Sequence, residues 1–175
     1  MSMIIGLTGK KQHGKDTVAR ILLESDAVPC PCLIIAFADA LRDIGSILGY
    51  SQLQMKVNKD VIHPLWNRSW RQTAQFIGTD LFRLQFDGDV WVKIIQDRMS
   101  KNVSYIITDV RYDNEAKMIK AMGGEIIKVV RSGMPDSDNH LSEQGINMHL
   151  VNGIIYNDGD LASLKAKTIA IMRFL

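Results

Sequence analysis

The sequence predicts an α/β fold, a parallel β-sheet covered by helices and organised around a phosphate-binding loop. Two observations carry this. The first is Gly9-Lys10-Lys11-Gln12-His13-Gly14-Lys15, a Gly-x-x-x-x-Gly-Lys loop lying between an apolar run at 3–8 and an amphipathic stretch at 16–25. The second is a set of further short apolar runs at 32–37, 105–109, 125–130 and 153–157. These read as strands, and the near-continuous run at 32–37 as one buried on both faces, typical of a parallel sheet.

Composition bounds the rest. A chain of 175 residues suits one domain. With 46% hydrophobic and 23% charged residues it fits a soluble globular protein with a substantial core. A net charge of +2 gives no ground for a nucleic-acid or membrane partner. The N-terminal apolar run is too short for a signal peptide and lacks a cleavage site, and no stretch approaches the ~20 apolar residues that span a bilayer. Cys30 and Cys32 are too few for a disulfide framework. With the scattered His13, His63, His140 and His149 they are also poorly spaced for zinc. The expected compartment is the cytoplasm, that of the host if the gene is viral.

In the loop, glycines let the backbone curl so that successive N–H groups point inward. The helix that follows adds a partial positive charge, and Lys15 would reach the β- and γ-phosphates of a nucleoside triphosphate. Gly9, Lys10, Lys11, Gly14, Lys15, Asp16 and Thr17 are therefore candidate nucleotide contacts. Asp16 stands where Ser or Thr usually holds Mg²⁺, with Thr17 next to it. A carboxylate is a hard oxygen ligand and can serve directly or through water.

The helix after the loop carries Val18, Ile21 and Leu22 on one face and fades near Ser25-Asp26. Two parallel strands joined by it make a right-handed βαβ unit. Asp39 and Arg42 follow the second strand, at the carboxyl end where open α/β sheets bind ligands. Asp39 equally suits the N-cap of a helix bearing Leu41, Ile44 and Leu48, with Gly49 as its stop. Arg42 reads also as a solvated helix residue. Residues 50–68 read as loop or short helices, with Trp66 and Trp70 as core or as a base-binding wall.

Residues 69–86 read as one helix. Trp70, Ala74, Ile77, Leu81 and Leu84 form its apolar face, and Arg71, Gln75, Thr79 and Arg83 the opposite one. Gly78 costs about 1 kcal/mol relative to Ala inside a helix, so either something approaches closely there or the helix breaks. The polar face is a solvated stripe or a pocket for phosphate and base. After the turn at Asp87-Gly88-Asp89 comes a helix with Trp91, Ile94 and Ile95, with Asp89 as a candidate cap.

The third strand ends in Asp109, the Walker B position that holds Mg²⁺ or its waters. Arg111 follows two residues later, placed to neutralise charge on a transferring phosphate. A helix at 114–122 stops at Gly123-Gly124, and Arg131 closes the fourth strand. Residues 132–149 are polar and form a candidate lid. No Arg or Lys occurs between 132 and 150, so Lys10, Lys11, Arg111 and Arg131 would supply charge from the sheet edge. His140 and Glu143 position the lid, meet a nucleotide, or are ordinary surface residues. Asp160 is placed to cap a last helix with Leu161, Leu164, Thr168, Ile171 and Leu175 on its face.

Taken together, the chain resembles the deoxynucleoside monophosphate kinases of tailed phages over most of its length. The carrying motifs are Gly-Lys-Lys-x-x-Gly-Lys-Asp at 9–16, Phe-Ala-Asp-Ala-Leu-Arg at 37–42 and Arg-Gln-x-x-Gln-x-x-Gly-Thr-Asp at 71–80. Others are Trp-Val-Lys at 91–93, Thr-Asp-Val-Arg-Tyr-x-Asn-Glu at 108–115 and His-x-Ser-Glu at 140–143. In that family Gly-Lys-Asp replaces Gly-Lys-Ser/Thr. Animal-type phosphomevalonate kinases share the Gly-Lys-Asp loop and dephospho-coenzyme A kinases the general fold. The glutamine–glycine helix and the Asp-Val-Arg strand end favour the nucleotide enzyme.

The resemblance implies a single three-layer P-loop kinase domain over 1–175. It implies five parallel strands in the order 2-3-1-4-5, a monophosphate-binding region at 38–100 and a short lid at 132–150. The implied reaction is Mg²⁺-assisted in-line transfer of the γ-phosphoryl group of ATP to a deoxynucleoside monophosphate. Lys15, Asp109 and Arg111 would be catalytic, Asp16 and Asp109 would hold the metal, and Arg131 would join the loop residues at ATP. The acceptor would meet Asp39, Arg42, Arg71, Gln75, Gly78, Thr79, Arg83, Trp91, Arg111, His140 and Glu143. Neither nucleic acid nor membrane is an expected partner, and a homodimer is left open. An alternative of another class is a nucleotide-gated binding module that hydrolyses slowly or not at all. A GTPase version of it is disfavoured, because Asn58-Lys59-Asp60-Val61 lacks the spacing of the guanine-reading Asn-Lys-x-Asp motif.

Overall fold

The computed structural model describes residues 2–133 and 145–175. Its strands are β1 (Ile4–Thr8), β2 (Cys32–Ile35), β3 (Ile62–His63), β4 (Arg68–Ser69), β5 (Ser104–Ile107), β6 (Glu125–Val130) and β7 (Gly153–Tyr156). Its α-helices are α1 (Lys15–Leu23), α2 (Ala38–Ile47), α3 (Gln52–Lys56), α4 (Trp70–Gln75), α5 (Val90–Arg98), α6 (Asp113–Ala121) and α7 (Leu161–Ile171). A π-helix covers Phe76–Phe86. The chain divides into two compact units, Met1–Ala36 with Met99–Leu175, and Phe37–Arg98. Among the described residues no helix is long and apolar enough to cross a membrane.

The first unit is built on five parallel strands in the order β2-β5-β1-β6-β7. Counted over these five alone, this is the order 2-3-1-4-5. The central strands have the double-sided burial that their apolar runs imply. Ile5, Leu7, Ile106, Ile107, Ile126, Ile127 and Val129 are all buried. α1 adds Val18, Ala19, Ile21 and Leu22 to the same core, and β7 and α7 add Ile155 and Leu164. The Asp160 side chain caps α7, accepting from the Ser163 N–H at 2.8 Å.

One expectation fails here. β2 is an edge strand, and Leu33 and Ile34 are 52% and 37% exposed. An apolar run reports that a strand is apolar on both faces. It does not report whether neighbours cover those faces.

The second unit has its own small core of Tyr50, Met55 and Trp70, packed by Leu41, Leu48 and Ala74. Trp70 is therefore core. Trp66 is not: it is exposed, and its indole N–H donates to the Leu48 carbonyl at 2.7 Å. β3 and β4 form an antiparallel hairpin within the stretch read as loop or short helices. α2 starts two residues earlier than a cap at Asp39 requires. Its N-cap is Phe37, and Asp39 sits in the first turn, paired with Arg42. Gly49 does end α2, with φ +84°.

The segment 69–86 is not one α-helix. After α4 the backbone winds as a π-helix, whose i→i+5 bonding brings residues five apart into line. Stripes counted at steps of three and four drift off their face. Leu84 is consequently 69% exposed, while Thr79 is buried. Gly78 marks close approach, not a break. Its carbonyl accepts from the Trp91 indole at 2.8 Å, and an added Cβ would stand 3.0 Å from Leu41 Cδ2.

A stability prediction arises in this core. A Cβ at Gly45 would lie 2.5 Å from Trp70 Cζ3 and 2.6 Å from Met55 Sδ. Gly45→Val is expected to destabilise by about 1–3 kcal/mol through overpacking. Thermal unfolding should show a lowered midpoint.

Candidate functional site

The loop between β1 and α1 is shaped by three residues in the left-handed region, Gly9 (φ +137°), Gln12 (φ +64°) and Gly14 (φ +99°). At Gly9 and Gly14 space agrees with conformation. A Cβ on Gly9 would stand 2.3 Å from the Val129 carbonyl oxygen, and one on Gly14 2.5 Å from Asn157 Nδ2. Gly14 is the N-cap of α1 and no side chain caps that helix. The helix dipole therefore favours an anion at this end of α1. The Lys15 ammonium folds over the loop, donating to the carbonyls of Gly9 at 2.6 Å and Lys10 at 2.7 Å. Lys10, Lys11 and Asp16 are exposed around it, and Thr17 is half-buried.

The chain leaving β5 stays in register with β1. The Val110 N–H donates to the Leu7 carbonyl at 3.1 Å, and Val110 is buried. Asp109 and Arg111 flank it, both half-buried, at the same carboxyl edge from which the loop springs. The Arg111 and Tyr112 N–H groups donate to Glu115 Oε2 at 2.7 and 3.1 Å. Glu115, only 2% exposed, was missed as a contributor. Its position three residues after Tyr112, at the start of α6, is capping-box spacing and was the available signal.

Asp16, Thr17 and Asp109 offer hard oxygen donors at this edge, and among the described residues no cluster of three or more His, Cys, Asp or Glu forms a metal cage. That donor set fits Mg²⁺, which keeps several waters and takes one or two carboxylates plus substrate phosphates. Arg131, the first residue after β6, is exposed.

The other predicted contacts belong to the second unit. Arg42 pairs with Asp39. Arg71 makes a two-pronged pair with Asp60, Nε–Oδ1 2.6 Å and Nη2–Oδ2 3.2 Å. Arg83 donates to the Gly88 carbonyl at 3.3 Å. Gln75 is half-buried, whereas Gly78, Thr79 and Trp91 are buried. The expected stripe of Arg71, Gln75, Thr79 and Arg83 is thus broken by the π-helix. Lys93 hydrogen-bonds Asp87 and holds its carboxyl below the usual carboxylate range, and Asp87 in turn raises Lys93. His140 and Glu143 lie outside the described residues.

Gly9→Ala follows as a test of the loop, because the new methyl group meets backbone that cannot move without opening β6. If the loop holds the phosphates of a nucleoside triphosphate, affinity for it measured by calorimetry is expected to fall about tenfold, strain at such a position being worth about 1–3 kcal/mol.

A family model described as deoxynucleotide monophosphate kinase matches residues 34–168. The protein of that name from Escherichia phage RB69 is 34% identical over 135 residues, covering 71% of this chain and 55% of the relative. Its counterpart from Enterobacteria phage T4 is 32% identical over 139 residues, covering 77% and 56%. The chain thus spans little more than half the length of these two relatives. The family match begins beyond the phosphate loop, so the loop rests on its own geometry. Among solved structures, a gluconokinase from Sinorhizobium meliloti superposes with a TM-score of 0.51 at 12% identity, over 99% of this chain and 92% of its own. That likeness is one of fold.

Proposed function

Because the chain belongs to the deoxynucleotide monophosphate kinase family, we propose that it transfers the γ-phosphoryl group of ATP to deoxynucleoside 5′-monophosphates. The observation that carries the reading is the left-handed glycine loop leading into an uncapped α1, with Asp109 and Arg111 at the same sheet edge.

Phosphoryl transfer asks little covalent chemistry of a protein. It asks for alignment and charge neutralisation. The amides of residues 10–16 and the Lys15 ammonium hold the donor phosphates, with Lys10, Lys11 and Arg131 adding charge around them. Arg111 neutralises charge on the group in transit. Magnesium, held by Asp16 and Asp109 directly or through water with Thr17 beside them, would share that charge when bound. The acceptor needs no side-chain base, since its monophosphate oxygen is already anionic.

The second unit supplies the acceptor contacts in this reading, with Asp39, Arg42, Arg71, Gln75 and Arg83 as contacts and Gly78, Thr79 and Trp91 shaping the face. The ion pairs of Arg42 and Arg71 do not oppose it. A solvent-accessible pair contributes about 1 kcal/mol or less, and a phosphate takes the same guanidinium by charge-assisted, two-pronged bonds. His140 and Glu143, with the lid at 132–150, belong to the same proposal.

A coupled assay for ADP, run with ATP alone and with each deoxynucleoside monophosphate, tests the reading. ADP release that depends on the acceptor is the expected result. Acceptor-independent release would favour a nucleotide-gated module, and release only with phosphomevalonate or dephospho-coenzyme A another small-molecule kinase.

A further inference from the structure

We propose that His13 and Asn157 are positioning residues that clamp the phosphate loop to the carboxyl ends of β6 and β7. The inference rests on the reading of that loop as the ATP-phosphate site.

Three contacts reach the loop from strands far away in sequence, all within the first unit. Gly9 passes over the Val129 carbonyl, with no room for a side chain. The His13 ring is buried at 7% exposure, with Nδ1 3.1 Å from that same Val129 oxygen. A carbonyl only accepts, so Nδ1 carries the proton and Nδ1–H donates. The Asn157 side-chain amide then donates to the His13 carbonyl at 3.0 Å, across 144 residues of chain. Asn157 is itself fixed, because its backbone N–H donates to the Val130 carbonyl at 2.7 Å.

The consequence follows from peptide geometry. In a trans peptide the C=O of one residue and the N–H of the next point in opposite directions. With the His13 carbonyl drawn outward to Asn157, the Gly14 N–H is turned to the opposite side, away from the strands. That is the side a phosphate must occupy to be bound by loop amides. The clamp also holds the left-handed turn at Gln12, a conformation that costs a non-glycine residue roughly 1–2 kcal/mol. Neither residue touches the reacting groups in this account. Each acts by fixing where a backbone amide points.

The chemistry demands a donor at both positions, which makes the test specific. Asn157→Asp keeps the shape but presents carboxylate oxygens to the His13 carbonyl. His13→Leu removes the ring donor, whereas His13→Asn restores an N–H near the place of Nδ1. Amide hydrogen exchange without nucleotide should rise about tenfold within residues 9–14 of Asn157→Asp, read at the His13 N–H that bonds the Lys10 carbonyl, the expected scale for losing one part-buried hydrogen bond. Protection of residues 18–22 and 126–129 should stay as in the wild type. ATP affinity by calorimetry should weaken at least about tenfold, and KM for ATP should rise more than kcat falls. His13→Leu should behave like Asn157→Asp, and His13→Asn should return both readouts most of the way.

Unchanged exchange in 9–14, or unchanged ATP affinity, overturns the proposal. So does loosening spread evenly through β1, β6 and α1, which would make the two residues general fold supports. A wild type that binds ATP but phosphorylates no deoxynucleoside monophosphate would retire the kinase reading alone, since exchange and ATP affinity still read the clamp.

Discussion

Lys15→Ala is expected to cut deoxynucleoside diphosphate formation by about 10²–10³-fold, the loss typical of one preorganised donor to developing charge. The ammonium is a mobile point charge at the loop mouth, close enough to the Gly9 and Lys10 carbonyls to bond both. A γ-phosphate offers it a full charge in place of two carbonyl dipoles, so its strongest contacts are made with substrate. The fold does not depend on it, because the α1 core residues Val18, Ala19, Ile21 and Leu22 lie one turn further along the helix. Far-UV circular dichroism and the melting midpoint should therefore remain near wild type while turnover collapses. Near-normal turnover in a folded Lys15→Ala protein would remove the loop from the mechanism.

Arg111→Ala is expected to lower kcat by about 10³-fold or more, the range for an arginine that stabilises the transferring group. ATP binding should change far less, because the charge matters most when negative charge is spread over the transferring oxygens. Its backbone is held independently of its side chain by Glu115, so truncation leaves the turn after β5 in place. Steady-state kinetics paired with ATP calorimetry separate the two effects. A variant that loses ATP affinity but keeps kcat would show that Arg111 serves the donor nucleotide and not the transfer.

How much of this was legible in the sequence depends on the kind of information each element carries. The strands of the sheet were readable because each is a short apolar run, doubly buried in the central β1, β5 and β6, and each falls within two residues of its expected bounds. The loop was readable because glycine spacing is itself the structural requirement. Gly9 and Gly14 are the two positions where positive φ and a blocked Cβ coincide. The edge position of β2 was not readable, since pairing partners leave no local trace. The π-helix at 76–86 escaped for a different reason. Counting at steps of three and four presupposes the α-helical turn, so the count returned an apolar face that the winding does not keep. The hairpin at 62–69 was hidden by its two-residue strands.

Among candidate site residues, positions set by the local backbone are legible in the sequence and those set by distant partners are not. Asp109 and Arg111 were placed at the correct sheet edge because they follow an apolar run by fixed offsets. Asn157 was read only as the end of a strand. Nothing local to it reveals that its amide meets a carbonyl 144 residues earlier. Glu115 stands within the motif at 108–115, yet it holds the backbone of Arg111, which a pattern of side-chain types does not display. Asp39 misses the cap by two residues, because α2 starts at Ala38 with Phe37 as its N-cap.

The central claim is that phosphoryl passes from ATP to the phosphate of a deoxynucleoside monophosphate. Incubation with γ-labelled ATP, Mg²⁺ and each deoxynucleoside monophosphate, followed by chromatographic separation of the nucleotides, tests it most directly. Label is expected in a deoxynucleoside diphosphate, in amount equal to the ADP formed, with both products reduced about 10²–10³-fold by Lys15→Ala. Label recovered only as inorganic phosphate, or retained in ATP with every acceptor while the folded protein binds ATP, would contradict it.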